Sequence, residues 1–180
     1  MITTSHPSQH KIVSIHRIYH IEYLMEDIRA TFKRDMKLKI GEIMIDAKEG
    51  DISSFPRWLA NTLLEQGIIE TRDNDISTYV SRALNRERIA RPHDLSGIDP
   101  DFYIRVNDYL ERLREREREN LTVSLNSFVV SRLEKIVKLA AASPLSAELE
   151  EKLSVEEKEL YILIHNSSLE FKETVLKQID

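Results

Sequence analysis

Two histidines, at positions 16 and 20, are the residues whose spacing most resembles a metal site. A helix would place His16 and His20 on one face, where Glu22 or Glu26 could complete a ligand set. The segment does not contain the His-Glu-x-x-His pattern, because Arg17 follows the first histidine. No other cluster of ligating residues completes the site, so we expect ordinary surface or half-buried histidines and no bound metal.

The remaining residue types give little support for catalysis. The four glycines stand singly, so neither a dinucleotide-binding fingerprint nor a phosphate-binding loop can be built. Cysteine is absent, which excludes a thiol nucleophile, a thiolate metal site and a disulfide framework. Carboxylates are numerous, but no pair of them is marked out by its surroundings. The sequence therefore predicts a non-enzymatic protein without a cofactor.

A cluster of arginines is the one segment that could contact phosphate groups. It comprises Arg82, Arg86, Arg88 and Arg91. On a helix, Arg82 and Arg86 would share a face, and such side chains bind nucleic-acid phosphates. The alternative is a solvated segment whose charge is balanced by Glu87 and Asp94, which is the more common situation.

The overall charge argues against nucleic acid as the main ligand. The 180 residues carry a net charge of −5, and residues 99–180 hold 17 acidic against 12 basic side chains. Residues 1–98 are balanced, with 14 of each. A protein dedicated to coating DNA would normally be basic.

Residues 36–70 predict a small β-rich module of strand, turn, helix and strand. Alternating apolar residues over 36–47 favour two strands that bend at Gly41, and a turn follows at 48–51. A short helix would begin at Pro56 and end at Gly67. Four residues at the start of this helix and along its apolar face form either the core of the module or a surface for docking a partner: Pro56, Trp58, Leu59 and Leu63.

The segments on either side of this module are predicted as follows. Residues 1–35 form an N-terminal segment whose apolar spacing over 11–34 fits a helix, although residues 11–15 could also form a short strand. Residues 71–98 are polar and favour a linker with one short helix. Residues 99–180 favour a helical domain, with helices over 100–118, 121–142 and 154–178.

The helical domain carries three further sequence signals. Ser154 and Glu157 form a capping box at the start of the last helix. The alternating Glu/Arg run over 111–119 predicts an exposed helix or a helix end. The apolar stripe over 121–142 is broad, so this helix is either central in the bundle or packed against another subunit. Candidate subunit-interface residues are Leu121, Leu125, Phe128, Val129, Leu133 and Ile136.

No stretch of about 20 mostly apolar residues is present, so no membrane span is expected. The first ten residues are polar and do not resemble a signal peptide. We therefore expect a cytoplasmic protein, associated with the nucleoid if the source is prokaryotic.

Several strings resemble the GINS proteins of archaeal type. Residues 49–70 are similar to their small β-rich module, with the order Gly-Asp, apolar residue, Pro, helix, Gly and apolar residues. Residues 99–114, where Asp-Phe-Tyr opens a long helix, resemble the start of a helical segment of these subunits. Residues 133–140 and 153–161 resemble the later helices. Together the similarity spans residues 36–178.

The resemblance implies a mainly α fold that pairs a helical bundle domain with a small N-terminal β-rich module. It implies a non-enzymatic scaffold subunit that assembles with other GINS subunits as a homo- or hetero-tetramer. It further implies a complex that links the MCM replicative helicase to a Cdc45- or RecJ-like partner and also contacts primase or polymerase. The module precedes the helices, as in one branch of the family, whereas Asp-Phe-Tyr and Leu-Ser-Val-Glu-Glu-Lys resemble the other branch.

The competing hypothesis is a regulator that contacts DNA through residues 82–91. Under the scaffold hypothesis we expect only weak DNA contact, since the C-terminal half is acidic.

Overall fold

The computed structural model describes residues 7–41, 43–71 and 74–176. Seven helices and five strands lie within these ranges. The helices are α1 (Pro7–Met25), α2 (Arg57–Glu65), α3 (Asn74–Ile89), α4 (Phe102–Arg112), α5 (Glu115–Ala142), α6 (Ala147–Glu150) and α7 (Val155–Leu176). The strands are β1 (Asp27–Phe32), β2 (Met36–Ile40), β3 (Ile43–Ala47), β4 (Ile52–Pro56) and β5 (Ile69–Thr71).

The chain divides into two compact units. Residues 20–75 form a β-rich unit, and the remainder forms a helical unit, with the division falling within α1. The mainly α fold with a small N-terminal β module is therefore confirmed.

The β-rich unit contains a three-stranded antiparallel sheet in the order β4-β1-β5 and a separate β2-β3 hairpin. Ala30 and Phe32 of β1 point to one face and are buried with Phe55 of β4. The rings of Phe32 and Phe55 meet edge to face, with centroids 5.7 Å apart. Gly41 has a φ of +59°, the left-handed conformation that the hairpin turn requires.

The predicted helix over 11–34 is wrong in its second half. The helix ends at Met25, and residues 27–32 instead form β1, the central strand of the sheet. Ile28 and Phe32 are four residues apart, which fits a helix face, but with Ala30 between them they also alternate as a strand does. Strand β4 was not predicted, because its residues follow a turn and lead into Pro56. The sheet therefore begins before residue 36, earlier than the predicted module.

Helix α2 covers this sheet with two buried leucines. Leu59 and Leu63 are each about 1% exposed and pack with Ile68 and Ile69. Pro56 precedes the helix as its N-cap residue rather than opening it. At the other end, Gly67 (φ +65°) and Ile68 donate backbone hydrogen bonds to Leu64 and Leu63, which closes the helix with a Schellman motif.

The helical unit includes α3, a segment predicted to lie in a linker. Helix α3 has 16 residues, and its Val80 and Ala83 are buried with Phe102 of α4 and Phe128 of α5. Residues 74–89 are therefore part of the helical core rather than a solvated connection.

The boundary between α4 and α5 also differs from the prediction. Residues 113–114 break the helix, and the charged residues 115–119 form the first turns of α5 rather than the end of α4. All five of these charged residues are exposed, as the alternation of charges indicated. Helix α5 has 28 residues in all, from Glu115 to Ala142, and is the longest helix of the described chain.

Helix α7 begins with the predicted capping box. The backbone N–H of Glu157 donates to Ser154 Oγ at 3.3 Å, and the backbone N–H of Ser154 donates to Glu157 Oε2 at 3.2 Å. A second apolar cluster lies beside it, formed by Leu95, Ile136, Ala140, Leu153 and Tyr161. Within the described ranges, no helix is long and apolar enough to cross a membrane.

Candidate functional site

Helix α5 organises the helical unit through a buried row of side chains. The buried residues of α5 lie on one side of the helix and point into the unit: Phe128, Arg132, Lys135, Ile136 and Ala140. Two of the five are basic, so their charges require partners within the protein.

Arg132 is fully buried and makes hydrogen bonds with all of its N–H groups. Its Nε and Nη2 donate to the two carboxylate oxygens of Glu157 in α7, both at 2.7 Å. Its Nη1 donates to Glu87 Oε2 of α3 at 2.9 Å and to the carbonyl of Ser96 at 2.7 Å, and Nη2 also donates to the carbonyl of Lys152 at 3.0 Å. This bidentate arrangement satisfies the guanidinium.

The second buried cation, Lys135, completes a neutral cluster. Its Nζ donates to Glu87 Oε1 at 2.6 Å, while the other carboxylate oxygen of Glu87 accepts from the backbone and hydroxyl of Ser96. Tyr103 of α4 donates its hydroxyl proton to Glu157 Oε1 at 2.7 Å. Two cations and two carboxylates are thus paired in the interior, and together they connect α3, α4, α5 and α7.

The pKa values of this cluster follow from its pairing. Burial alone would raise the pKa of Glu87, but hydrogen bonds from Lys135 and Ser96 and the charge of Arg132 lower it overall. Burial opposes ionisation of Arg132 as well, yet the hydrogen bonds and charge of Glu157 raise its pKa. Burial and the neighbouring Glu157 raise the pKa of Tyr103. The three shifts favour an ionised Glu87, a charged Arg132 and a neutral Tyr103 at neutral pH, so they stabilise the paired arrangement.

This cluster was missed from the sequence. Glu87 was interpreted there as a surface counter-charge for the arginines, and Glu157 only as a capping residue. The available signal was that Arg132 and Lys135 lie among the apolar positions of the α5 stripe, next to Phe128 and Ile136.

One flank of α5, which we call the apolar flank, is only partly covered. Its side chains are 38–67% exposed, and they recur at helical spacing: Val123, Val129, Val130, Leu133 and Val137. The last three turns of α7 carry further exposed apolar side chains, namely Leu169, Phe171, Val175 and Leu176. Isolated exposed apolar residues are common, but a continuous row is typical of an interaction surface.

The apolar flank borders a groove of about 420 Å³ between α4, α5 and α7. Val129, Leu133 and Leu160 line it, and its polar rim includes Asn107 and Glu156. His16 of α1 also lines the groove and has its Nδ1 2.8 Å from Glu156 Oε1. A groove of this kind can accept the apolar side chains of a partner helix.

The six predicted interface residues occupy different positions. Val129 and Leu133 lie on the apolar flank, and Leu121 and Leu125 are half-buried against the core. Phe128 and Ile136 are 3% and 1% exposed and pack inside the chain, so as surface residues they were predicted wrongly. The first of the two alternatives for the broad apolar stripe is confirmed, since α5 is central in its unit. Helix α5 also exposes an apolar row, and packing of this row against another subunit stays a prediction.

The four arginines of the predicted basic cluster are all exposed, on α3 and the turn after it. Their expected counter-charges are engaged elsewhere. Glu87 is buried with Arg132 and Lys135, and Asp94 accepts a hydrogen bond from Lys152 Nζ at 3.0 Å. The interpretation of this segment as charge-balanced is therefore wrong.

Trp58 in the β-rich unit is 38% exposed, so the expectation that it forms the module core is also wrong. Its neighbours on α2, Leu59 and Leu63, form that core instead. The residues considered for metal binding do not form a site either. Within the ranges that the structure describes, no group of three or more His, Asp or Glu side chains could hold a metal ion.

Comparison with known proteins identifies the family to which the helical unit is similar. Residues 70–176 match the family model described as "Sld5: GINS complex protein helical bundle domain". The match covers more than half of the chain and includes α3 through α7. The chain belongs to the GINS family. A search of curated proteins found no match.

Membership of the GINS family assigns the chain a role in the GINS complex in DNA replication. The family consists of non-catalytic complex subunits, and its membership implies other GINS subunits as partners.

Proposed function

We propose that this chain is a scaffold subunit of a GINS complex that links the MCM replicative helicase to a Cdc45- or RecJ-like partner. Its helical unit assembles with other GINS subunits as a homo- or hetero-tetramer, and the complex also contacts primase or polymerase. The observation that supports the proposal most strongly is the apolar flank of α5, which borders an apolar groove in a protein of the GINS family.

The proposed assembly surface consists of Val129, Leu133 and Val137 with the groove beside them. Burying such half-exposed side chains stabilises an interface by about 25 cal/mol per Å² of apolar area, before the entropy of association is subtracted. A charge introduced there would be buried without a partner, at a cost of several kcal/mol. Assembly should therefore be sensitive to single substitutions on this flank.

Light scattering on the purified chain, alone and co-expressed with a related GINS subunit, tests the assembly. We expect a dimer, a tetramer or a mixed complex at micromolar concentration, and we expect Leu133→Asp to dissociate it while the chain stays folded. Ser127→Asp is the matched control, because it places the same charge at an exposed position of α5 that does not line the groove. A 21.0 kDa monomer that no related subunit binds would contradict the proposal.

The β-rich unit is proposed to dock a replication partner through the face of α2 that carries Trp58. An exposed tryptophan beside a well-packed core is typical of an interface anchor. Because the side chain is 38% exposed, Trp58→Ala should lower the free energy of unfolding by only about 1 kcal/mol. Leu59→Ala, in the core, should lower it by about 2–5 kcal/mol.

Pull-down of MCM and of the Cdc45- or RecJ-like protein by the assembled complex tests the docking role. We expect Trp58→Ala to weaken binding of at least one of them without changing subunit assembly. Retention of both partners by a folded Trp58→Ala complex would refute this role for the tryptophan face.

A further inference from the structure

The exposed face of α3 is basic and lacks acidic residues over its last three turns. Between residues 78 and 91 the only acidic side chain is Glu87, which is 3% exposed and points inward. Most outward-facing side chains are polar or cationic, with Thr78, Ser81 and Asn85 lying among the arginines, and Ile89 at the end of the helix is the exposed apolar exception. The face is therefore positively charged within a chain of net charge −5.

The positive charge of this face is not neutralised by its sequence neighbours. Glu87 is held by Arg132 and Lys135, and Asp94 by Lys152 at 3.0 Å. The hydrogen bond from Lys152 lowers the pKa of Asp94, as expected for a carboxylate engaged in a pair. Near Ser81 the basic face ends, because Glu117 of α5 lines a depression together with Ser81 and adds a negative charge there.

Helix α5 extends this face with hydroxyl groups. Ser124, Ser127 and Ser131 recur at spacings of three and four along one side of α5, which we call the hydroxyl flank. They line a shallow depression of about 40 Å³ together with Arg88 of α3. Guanidinium and hydroxyl groups bind phosphate oxygens in protein–DNA interfaces. The carboxylate that also lines this depression, Glu87, is already paired with Arg132 and Lys135.

The described part of this face has no exposed aromatic side chain on which a base could stack. The depression is too small for a nucleobase, and Tyr79, the aromatic residue of this segment, packs against Phe102 and donates its hydroxyl to Asp99 at 2.7 Å. Contacts would therefore reach the sugar–phosphate backbone and be independent of sequence.

We propose that the outer face of α3, with Arg82, Arg86, Arg88 and Arg91, and the hydroxyl flank of α5 together bind the phosphate backbone of DNA. Nucleic acid is preferred over other polyanions because the GINS complex acts in DNA replication. The proposal does not depend on which helicase components the subunit links. With four cations engaged, the isolated chain binds weakly, with Kd of about 10⁻⁴ to 10⁻⁶ M at physiological salt.

Fluorescence anisotropy with the full chain tests this site. The probes are a labelled duplex and a labelled single strand of arbitrary sequence, titrated at 50, 100 and 200 mM salt, chosen as roughly the range over which counterion release changes affinity strongly. We expect log K to fall with log salt with a slope of about −3 to −4, and each Arg→Gln substitution on α3 to reduce its magnitude by about one. Ser127 Oγ donates to the Val123 carbonyl at 3.2 Å in the unbound chain, so Ser127→Ala should weaken binding by about twofold at most.

The matched control removes four positive charges elsewhere. Arg112, Arg114, Arg116 and Arg118 interleave with glutamates in the run at the α4–α5 boundary. If R82Q/R86Q/R88Q/R91Q abolishes binding and R112Q/R114Q/R116Q/R118Q retains most of it, the site is supported. Equal losses in the two variants, or no binding of either DNA at 50 mM salt, would overturn it. Tighter binding to phosphatidylserine vesicles than to DNA at equal phosphate concentration would also overturn it.

Discussion

The two flanks of α5 are built from the same helix but expose opposite chemistry. The apolar flank presents Val129, Leu133 and Val137 beside the groove, whereas the hydroxyl flank presents Ser124, Ser127 and Ser131 beside the arginines of α3. Between them runs the buried row that includes Phe128 and Arg132. One helix can therefore serve two kinds of partner, provided that this row holds it in place.

Because the flanks differ in chemistry, the binding free energies of their proposed contacts should depend differently on salt concentration. Burial of apolar area is nearly independent of salt, whereas phosphate contacts weaken steeply as salt is added, because the entropy gained by releasing counterions falls as the salt concentration rises. Subunit assembly and DNA contact should thus respond differently to the same change of ionic strength. The two flanks are independent if each can be changed without altering the other, and they share the buried row of α5 as their support.

The largest effect is expected from deleting α3, the helix that lies beside the hydroxyl flank of α5. A fragment of residues 95–180 lacks α3 and with it Val80, Ala83 and Glu87, so Phe102 and Phe128 lose core contacts and two cations lose a carboxylate. We expect loss of cooperative unfolding, because an unpaired buried charge and an open core act together. Circular dichroism during a urea titration measures this.

A fragment of residues 70–176, which retains α3 and matches the family domain, is the control and should unfold cooperatively. The sequence alone favoured a boundary near residue 95, within the supposed linker. Cooperative unfolding of the 95–180 fragment would show that the apolar flank forms without α3 and that the two flanks are independent.

The next largest effect is expected from Arg132→Gln. The substitution leaves Glu157 buried without its cation and removes one of the two cations that pair with Glu87, which should lower the free energy of unfolding by about 3–5 kcal/mol. Arg112→Gln is the control, because Arg112 pairs with Asp108 across one helical turn near the surface and should contribute less than about 1 kcal/mol. Similar losses in both variants, measured by urea unfolding, would mean that the buried cluster does not hold the flanks together.

The importance of Arg132 shows where sequence reasoning succeeded and where it failed. The apolar stripe of α5, the capping box at Ser154 and the two strands on either side of Gly41 depend on local sequence patterns and were predicted correctly. The antiparallel pairing of these two strands was not predicted. The partners of Arg132 lie 25 and 45 residues away in the chain, and no local pattern connects them. The charge of Glu87 was visible in the sequence, but its inward orientation depends on tertiary packing.

The same limit explains the errors in the β-rich unit. Strand β1 pairs with β4 and β5, which lie 20 or more residues later, and its residues Ile28 and Phe32 satisfy both a helical and a strand period. On α2, the sequence could not distinguish Trp58 from Leu59 as the buried residue, because a helix nine residues long offers only one short apolar stripe. In each case contacts with residues distant in the sequence decide between two structures that the local sequence favours equally.

A smaller, pH-dependent effect is expected from Glu87→Gln, which weakens the attachment of α3 to α5. The folded-state pKa of Glu87 is lowered, so its contribution to stability is present above the unfolded value of 4.5 and is lost as the pH falls through the folded pKa. At pH 7 the variant should lose about 1–3 kcal/mol, since a charged hydrogen-bond acceptor becomes neutral. Urea unfolding between pH 7 and pH 3 should show the difference from the unsubstituted chain shrinking as the pH falls.

Glu134→Gln is the control for this titration, because Glu134 is exposed on α5. A constant difference between Glu87→Gln and the unsubstituted chain across this pH range would argue against an ionised Glu87 in the buried cluster.

The smallest effects on stability, and the clearest separation of the two flanks, are expected from Leu133→Ser and Ser127→Ala. Both side chains are at least partly exposed, so each change should alter the free energy of unfolding by less than about 1 kcal/mol. Leu133→Ser should weaken subunit assembly at every salt concentration while leaving DNA binding unchanged, because it removes apolar area only. Ser127→Ala should leave assembly unchanged and reduce DNA binding slightly, with the salt slope preserved, because no charge is removed. Light scattering and anisotropy on the same two proteins measure both properties, and a variant that changed both together would show that the flanks act as one surface.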